Sequence, residues 1–389
     1  MGRARGIGRG TAALSGRDTA TGRRTVTAAR PARSRLHLRI ALVTDAWLPQ
    51  INGVTTTLST CRERIEQRGH TVKVFSPGLF VNVPCPRYPH IRLALLPGRK
   101  LGRGLDRFRP EAIHIATEGP LGIAARRYCV RRRFPFTTAF HTKFAEYLEA
   151  YARVPSRWTY RAQRWFHGGA ERTLVPTPTV KTELEERGFQ HLVNWDRGVD
   201  TDLFRPRSGD FYNLPRPIFL SVGRVAPEKN LEAFLDLDLP GSKVVVGDGP
   251  ARGALERAHP EVHWAGFRLG EDLARHYSGA DVFVFPSKTD TFGVVMLEAN
   301  ASGLPVAAYP VPGPVDVVDH GVSGVLDDDL RKACLIATEI DPAECRRFAK
   351  ARSWDRCAEL LVENLAVIDD GQAAASSVCS PDTSPTSSA

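Results

Sequence analysis

The sequence predicts an α/β protein of two doubly wound parallel sheets, each Rossmann-like, facing one another across a cleft. Three observations predict it. From about residue 37, a buried strand, a glycine-bearing loop, a helix and a second strand follow one another within about thirty-five residues, which is a βαβ unit. The same alternation starts afresh after the Pro-rich junction "DLFRPRSGDFYNLPRP". The chain's 389 residues are enough for two such domains.

Residues 1–36 hold nine Arg and the single acid Asp18, with no apolar periodicity, and read as a disordered tail. An Arg-rich, acid-poor start is also the composition of an organelle transit peptide. The first domain, 37–205, opens with the strand "LRIALVTDAW", the loop "LPQINGV", the helix "TTTLSTCRERIEQRGH" and the strand "TVKVFSP". Further strands are "EAIHIAT", "FPFTTAFHT" and "RTLVPTP". The second domain, 206–352, carries "IFLSVGR", "SKVVVGDG", "VHWAGF", "ADVFVFPS" and "PVAAYPV", with helices between. A helical stretch, "SWDRCAELLVENLAVI", follows, and the Ser/Pro-rich tail 370–389 reads as disordered.

Composition narrows the function. The chain is 42% apolar and 25% charged, ordinary for a globular protein. No run of eighteen apolar residues is present to span a membrane, and the start lacks a signal-peptide pattern. Seven scattered cysteines without a C-x-x-C argue against a disulfide framework or a zinc site and fit a reducing cytosol. The net charge of +10 is uneven: +8 over 1–36, +12 over 37–205 and −10 over 206–389. A basic first half points to an anionic partner.

In open parallel sheets, ligands bind beyond the carboxyl ends of the strands. The loops there carry the unusual residues. Gly53 stands just before a helix, where a phosphate can approach free amides. Arg224 and Lys229 in "SVGRVAPEKN" can hold and neutralise a pyrophosphate. In "PSKTDTFGVVMLEANASG", Asp290 can accept from sugar hydroxyls, Gly293 can aim amides at an anion, and Glu298 can accept from a ribose diol. Gly266 and Phe267 offer backbone groups to a base edge. On the opposite side stand His141 in "AFHTKF" and the acceptor candidates Asp45 and Glu118. Plainer roles stay open: a turn glycine at Gly53, a helix cap at Asp290 and a surface acid at Glu298. The dinucleotide fingerprint G-x-G-x-x-G is absent after the first strand, which argues against a dehydrogenase.

Taken in order, "PQINGV", "FHTKF", "SVGRVAPEKN", "VVVGDGP", "FVFPSKTDTFGVVMLEANASGLPVA" and "HGVSGVL" resemble the retaining GT-B glycosyltransferases of family 4 over roughly residues 37–367. "TDTFG" and "GVDTDLFRP" are similar to the subgroup containing sulfoquinovosyl-diacylglycerol synthase, mycobacterial-type lipid mannosyltransferases and bacterial diacylglycerol glycosyltransferases. The resemblance implies a backbone N–H from Gly53 to the donor diphosphate, with Arg224 and Lys229 stabilising that diphosphate as it leaves. It implies that Glu298 holds the ribose, that Phe292 and Gly293 flank the donor sugar, and that His141 lies near the reacting carbon. The family's first motif acid is usually Glu, where this chain has Asp290, which bears on sugar selectivity. Residues 353–369 are expected to return to the first domain, and "KNLEAFLDLDLPGSKVVV" is short for the family. The implied mechanism is oxocarbenium-like departure with front-face attack, the leaving phosphate taking the acceptor's proton. No metal or other cofactor is expected.

The implied partners are a UDP-sugar or GDP-mannose, a lipid acceptor such as diacylglycerol or a glycosyl-diacylglycerol, and an anionic membrane surface. The expected location is cytoplasmic, peripheral to the inner face of the cell membrane. Two basic segments are the candidates for that contact: "RKLGRGLDRFRP", with Leu101, Leu105 and Phe108 on one helical face among Arg99, Lys100, Arg103 and Arg107, and "AARRYCVRRRF". Packing of that apolar face inside its own domain is the competing reading. A soluble or polysaccharide-precursor acceptor is the alternative to lipid. A basic nucleic-acid-binding protein would interleave aromatics with these basic segments. They do not, so no nucleic acid is expected.

Overall fold

The computed structural model describes residues 37–50, 52–85, 88–141, 143, 155–209 and 211–369. The apolar runs become parallel strands. In the first lobe these are β1 (Arg39–Val43), β2 (Thr71–Phe75), β5 (Ala112–Ile115), β6 (Thr137–Ala139), β7 (Arg172–Val175) and β8 (Leu192–Asn194), in the order β2-β1-β5-β6-β7-β8. Two short strands that the sequence reading did not resolve, β3 (Asn82–Cys85) and β4 (Tyr88–Ala94), form a separate antiparallel pair. The second lobe orders β9 (Ile218–Val222), β10 (Ser242–Val246), β11 (His263–Gly266), β12 (Val282–Phe285), β13 (Val306–Ala308) and β14 (Gly324–Leu326) as β11-β10-β9-β12-β13-β14. That is the doubly wound order, with its reversal between β9 and β12. In the first sheet the reversal lies between β1 and β5.

Strands such as β5 and β12 are buried along their whole length because helices cover both faces, so they read as continuous apolar runs without alternation. Between β9 and β10 the chain forms the short 3-10 helix Pro227–Lys229 and the four-residue helix Glu232–Leu235. After the second lobe, helix Trp354–Asn364 lies against helix Gly53–Gln67 of the first. Leu361, Ala358 and Cys357 pack with Leu58, Cys61 and Ile65 in one apolar cluster. Trp195 Nε1 donates to the Cys357 carbonyl at 2.9 Å, and Arg68 pairs with Glu359 at 2.7 Å. Buried leucines of this kind each contribute about 1.5–3 kcal/mol. Among the described residues, no helix is long and apolar enough to cross a membrane.

The basic helix Gly98–Phe108 differs from one reading of its sequence. Leu101 and Leu105 are fully buried, and Phe108 packs against the same core. Its apolar face is therefore used inside the lobe, and Arg99, Lys100, Arg103 and Arg107 face solvent, with Gly98 and Asp106.

Candidate active site

The strand orders bring together loops that are far apart in sequence. β9 and β12 are neighbours, so the loop bearing Arg224 and Lys229 meets the loop bearing Asp290 at the second lobe's reversal point. The Lys229 ammonium donates to both Asp290 oxygens, at 2.6 and 2.8 Å. Burial opposes ionisation of Asp290. The Lys229 charge and hydrogen bond, aided by Ser287 and Arg224, outweigh it and hold the carboxyl below its ordinary value. Arg224 pairs with Glu228 one turn on. Two cations and two acids, each cation paired with one carboxylate, thus share one loop junction.

Glycines set how closely these loops approach. A Cβ on Gly247, whose φ is +149°, would stand 1.8 Å from the Gly223 carbonyl oxygen. The turn in "VVVGDGP" therefore lies directly against the Arg224 loop, tied to it by Val225 N–H to the Asp248 carbonyl at 2.9 Å. Gly293, at φ +83°, precedes helix Val294–Ala301 in the left-handed region, where other residues are strained. A Cβ there would also meet Met296 at 2.7 Å.

Glu298 lies on that helix and is half-buried. Tyr277, itself fully buried, donates its hydroxyl to Glu298 at 2.9 Å. Burial drives the Glu298 carboxyl up to about 7, against the opposing pull of that one bond. Phe292 does not present its ring to the loop surface. It is 6% exposed and packs in the core with Phe285 and Met296. Gly266 adopts φ +73° beside Arg252, and the Phe267 ring is half exposed.

Across the cleft, Gly53 begins helix Gly53–Gln67, capped by the Asn52 side chain at the Thr55 amide (3.0 Å). Among the described residues, nothing lies within 4 Å of where its Cβ would be. Among the described residues, none hydrogen-bonds the buried Nε2 of His141. Burial, with the nearby Arg197, His114 and His167, holds its pKa well below the ordinary value, so the ring is neutral. Glu118 accepts from Gln163 and His167, each at 3.3 Å.

Asp45 has hydrogen-bond partners within the first lobe. Its carboxylate accepts from the Leu121 amide (2.9 Å), the Gly122 amide (3.3 Å) and the Thr117 hydroxyl (3.0 Å), capping helix Pro120–Arg132. Replacing Asp45 with alanine is expected to lower unfolding stability by about 1–3 kcal/mol, because buried donors lose their acceptor. Urea unfolding monitored by circular dichroism measures it; an unchanged midpoint would mean that the cap adds nothing to stability.

Several residues escaped the sequence reading because they act only when the lobes meet. Thr291 Oγ1 donates to the His141 carbonyl at 2.7 Å. The Thr179 amide and hydroxyl donate to Asp316 at 3.1 and 2.9 Å. Arg197, 5% exposed, lies over the Trp195 ring at 4.3 Å and 6.0 Å from the Phe292 ring, with His141 on another side of that indole. Nothing in one dimension marks an arginine in "WDRGVD" as buried.

Residues 51–203 match the family described as "Glycosyltransferase Family 4", and 216–339 match "Glycosyl transferases group 1". A GDP-mannose-dependent alpha-mannosyltransferase of Mycolicibacterium smegmatis is 32% identical over 85% of this chain and 98% of its own. The sulfoquinovosyl transferase of Arabidopsis thaliana is 30% identical over 68% of this chain and 55% of its own. Among solved structures, a sucrose-phosphate synthase from Thermosynechococcus elongatus superposes with TM-score 0.67 at 21% identity, covering 84% of this chain and 98% of that one. At that identity the match speaks for the fold alone. Two facing doubly wound lobes, the cation-bearing loop junction and these matches lead to one conclusion. The chain belongs to glycosyltransferase family 4 and is a retaining hexosyltransferase with the GT-B fold, using a nucleotide-sugar donor.

Proposed function

We propose that the protein transfers a hexose from GDP-mannose to a lipid acceptor, diacylglycerol or a glycosyl-diacylglycerol, at the inner membrane surface. The observation that carries the donor is the likeness, at 30–32% identity over 74–85% of the chain, to three GDP-mannose-dependent alpha-mannosyltransferases. UDP-sugars are the alternative donor. The lipid acceptor is supported by likeness to two alpha-monoglucosyldiacylglycerol synthases, each 26% identical. The basic first half supports a membrane surface as the place of reaction.

In this reading Glu298 grips the ribose, while Gly53 and Gly293 offer main-chain amides to the diphosphate. As the bond from anomeric carbon to phosphate breaks, charge builds on the leaving diphosphate and on the sugar ring. Arg224 and Lys229 stabilise the first charge from fixed positions. Asp290 orients Lys229 and accepts from a sugar hydroxyl. Neutral His141 has a free ring nitrogen for a donor-sugar hydroxyl, and Glu118 borders the acceptor side. The acceptor's hydroxyl proton passes to the departing phosphate. The acceptor oxygen then bonds the carbon on the face the phosphate leaves.

Incubation with diacylglycerol vesicles and each radiolabelled donor, followed by organic extraction, tests this. Organic-phase label from GDP-mannose, lost in Arg224→Ala, is the expected result. Label from a UDP-sugar alone would replace the donor. Label confined to the aqueous phase would replace the acceptor.

A further inference from the structure

Three helices share one side of the first sheet: Gly98–Phe108, Pro120–Arg132 and Ser156–His167. Leu101, Leu105, Leu121, Ala125 and Phe166 from all three enter a single buried cluster. They are fastened edge to edge. Gly102 lets the Tyr128 ring come close, and Arg126 donates to the Trp165 and Phe166 carbonyls at 2.8 and 3.0 Å. Their outward faces therefore form one surface.

That surface is one-sided in charge. The three helices carry eleven Arg and Lys residues and one acid, Asp106, which Tyr128 (2.7 Å) and Arg132 (3.1 Å) already engage. The third helix adds an apolar element. Trp158 and Trp165, seven residues apart and so two turns along the same face, are 56% and 51% exposed. Arg157 and Arg161 are exposed beside them, and Arg126 of the neighbouring helix lies over the Trp165 ring at 4.0 Å. A monomer gains nothing by leaving two indoles in water, whereas indole rings favour the headgroup level of a bilayer and Arg favours anionic lipid. Single-stranded nucleic acid also stacks on aromatics, but it is held in grooves, and these rings stand on a convex helix face.

We propose that this three-helix face is the membrane-docking surface, that its lipid is anionic phospholipid, and that Trp158 and Trp165 are its interfacial anchors. Helices Pro120–Arg132 and Ser156–His167 follow β5 and β6, whose carboxyl ends carry Glu118 and His141, so the docked face borders the cleft mouth. The proposal rests on the lipid-acceptor reading and names the surface that reading needs. Neither of the basic segments marked from the sequence contains these anchors.

Flotation of the full chain on phosphatidylglycerol-containing and pure phosphatidylcholine vesicles tests it, alongside Trp158→Ala/Trp165→Ala and Arg157→Glu/Arg161→Glu variants. The wild type should float with the anionic vesicles only, and its fluorescence should be quenched by brominated acyl chains. Each double variant should partition at least about tenfold more weakly while keeping the wild-type circular dichroism and the wild-type rate on a water-soluble acceptor analogue. If the wild type floats and labels lipid but both variants float equally well, the docking surface is elsewhere and the lipid reading survives. If nothing floats and no lipid is labelled, both fall. Tighter binding to single-stranded oligonucleotides than to vesicles, with indole quenching, would overturn the membrane assignment.

Discussion

Lys229→Ala is expected to lower kcat/KM by about 10³-fold, the order found when one preorganised charge donor is removed from a transition state. The reason lies in where the charge appears. Before reaction the two phosphates carry negative charge shared with the sugar linkage. As the glycosidic bond breaks, one further unit develops on the leaving oxygen. A fixed ammonium near that point stabilises the transition state more than the ground state, so kcat should carry most of the loss. Lys229 is fixed because Asp290 holds it at 2.6 and 2.8 Å. The substitution also strands a carboxylate that this ammonium keeps ionised. Lys229→Arg, which keeps the charge but changes its geometry, should recover only part of the rate. Steady-state kinetics with the donor varied, and nucleoside-monophosphate binding as a control, separate the effects. A loss confined to KM would make Lys229 a ground-state binding residue and leave leaving-group stabilisation to Arg224.

This pair also shows what a sequence can and cannot convey. "SVGRVAPEKN" and "KTDTFG" each carry suitable chemistry, and sixty-one positions separate Lys229 from Asp290. Their contact depends on β9 lying beside β12, a strand order that no local pattern encodes. The longer strands were legible because burial on both faces makes them unbroken apolar runs. β8 and β14, three residues each, are too short to show a period, and β3 has no buried residue to mark it. Site residues followed the same division. Arg224, Lys229, Asp290 and Glu298 were marked by residue type and by position after a strand or on the next helix. Asp45 was marked by the same rule, yet its carboxylate caps a helix seventy-six residues away in sequence. Phe292 shares the loop of Asp290, but its ring packs inward. The Thr291–His141 and Thr179–Asp316 bridges exist only because two lobes close on one another.

Glu298 should make donor binding depend on pH, and Glu298→Gln should abolish that dependence. In the free protein its carboxyl titrates at about 7, against an ordinary value of 4.5, because burial penalises the charged form. The folded state therefore holds more protons than the unfolded one between those two values. Stability must fall as pH rises through that window, and Glu298→Gln should flatten this slope. A ribose diol changes the balance by donating to the carboxylate, which favours the ionised form. Donor binding then expels a proton, and affinity should rise about tenfold from pH 6 to pH 8. The diphosphate of a nucleotide sugar has no ionisation in that range, and His141, held well below 6.5, is already neutral. Calorimetry of GDP-mannose without acceptor, in buffers of different ionisation enthalpy, reads both the affinity and the proton released. Glu298→Gln keeps the shape and can still accept through its amide oxygen, so it should bind more weakly at pH 8 but with an affinity that no longer moves with pH. A slope that persists in this variant would assign the proton to another group and detach Glu298 from the ribose.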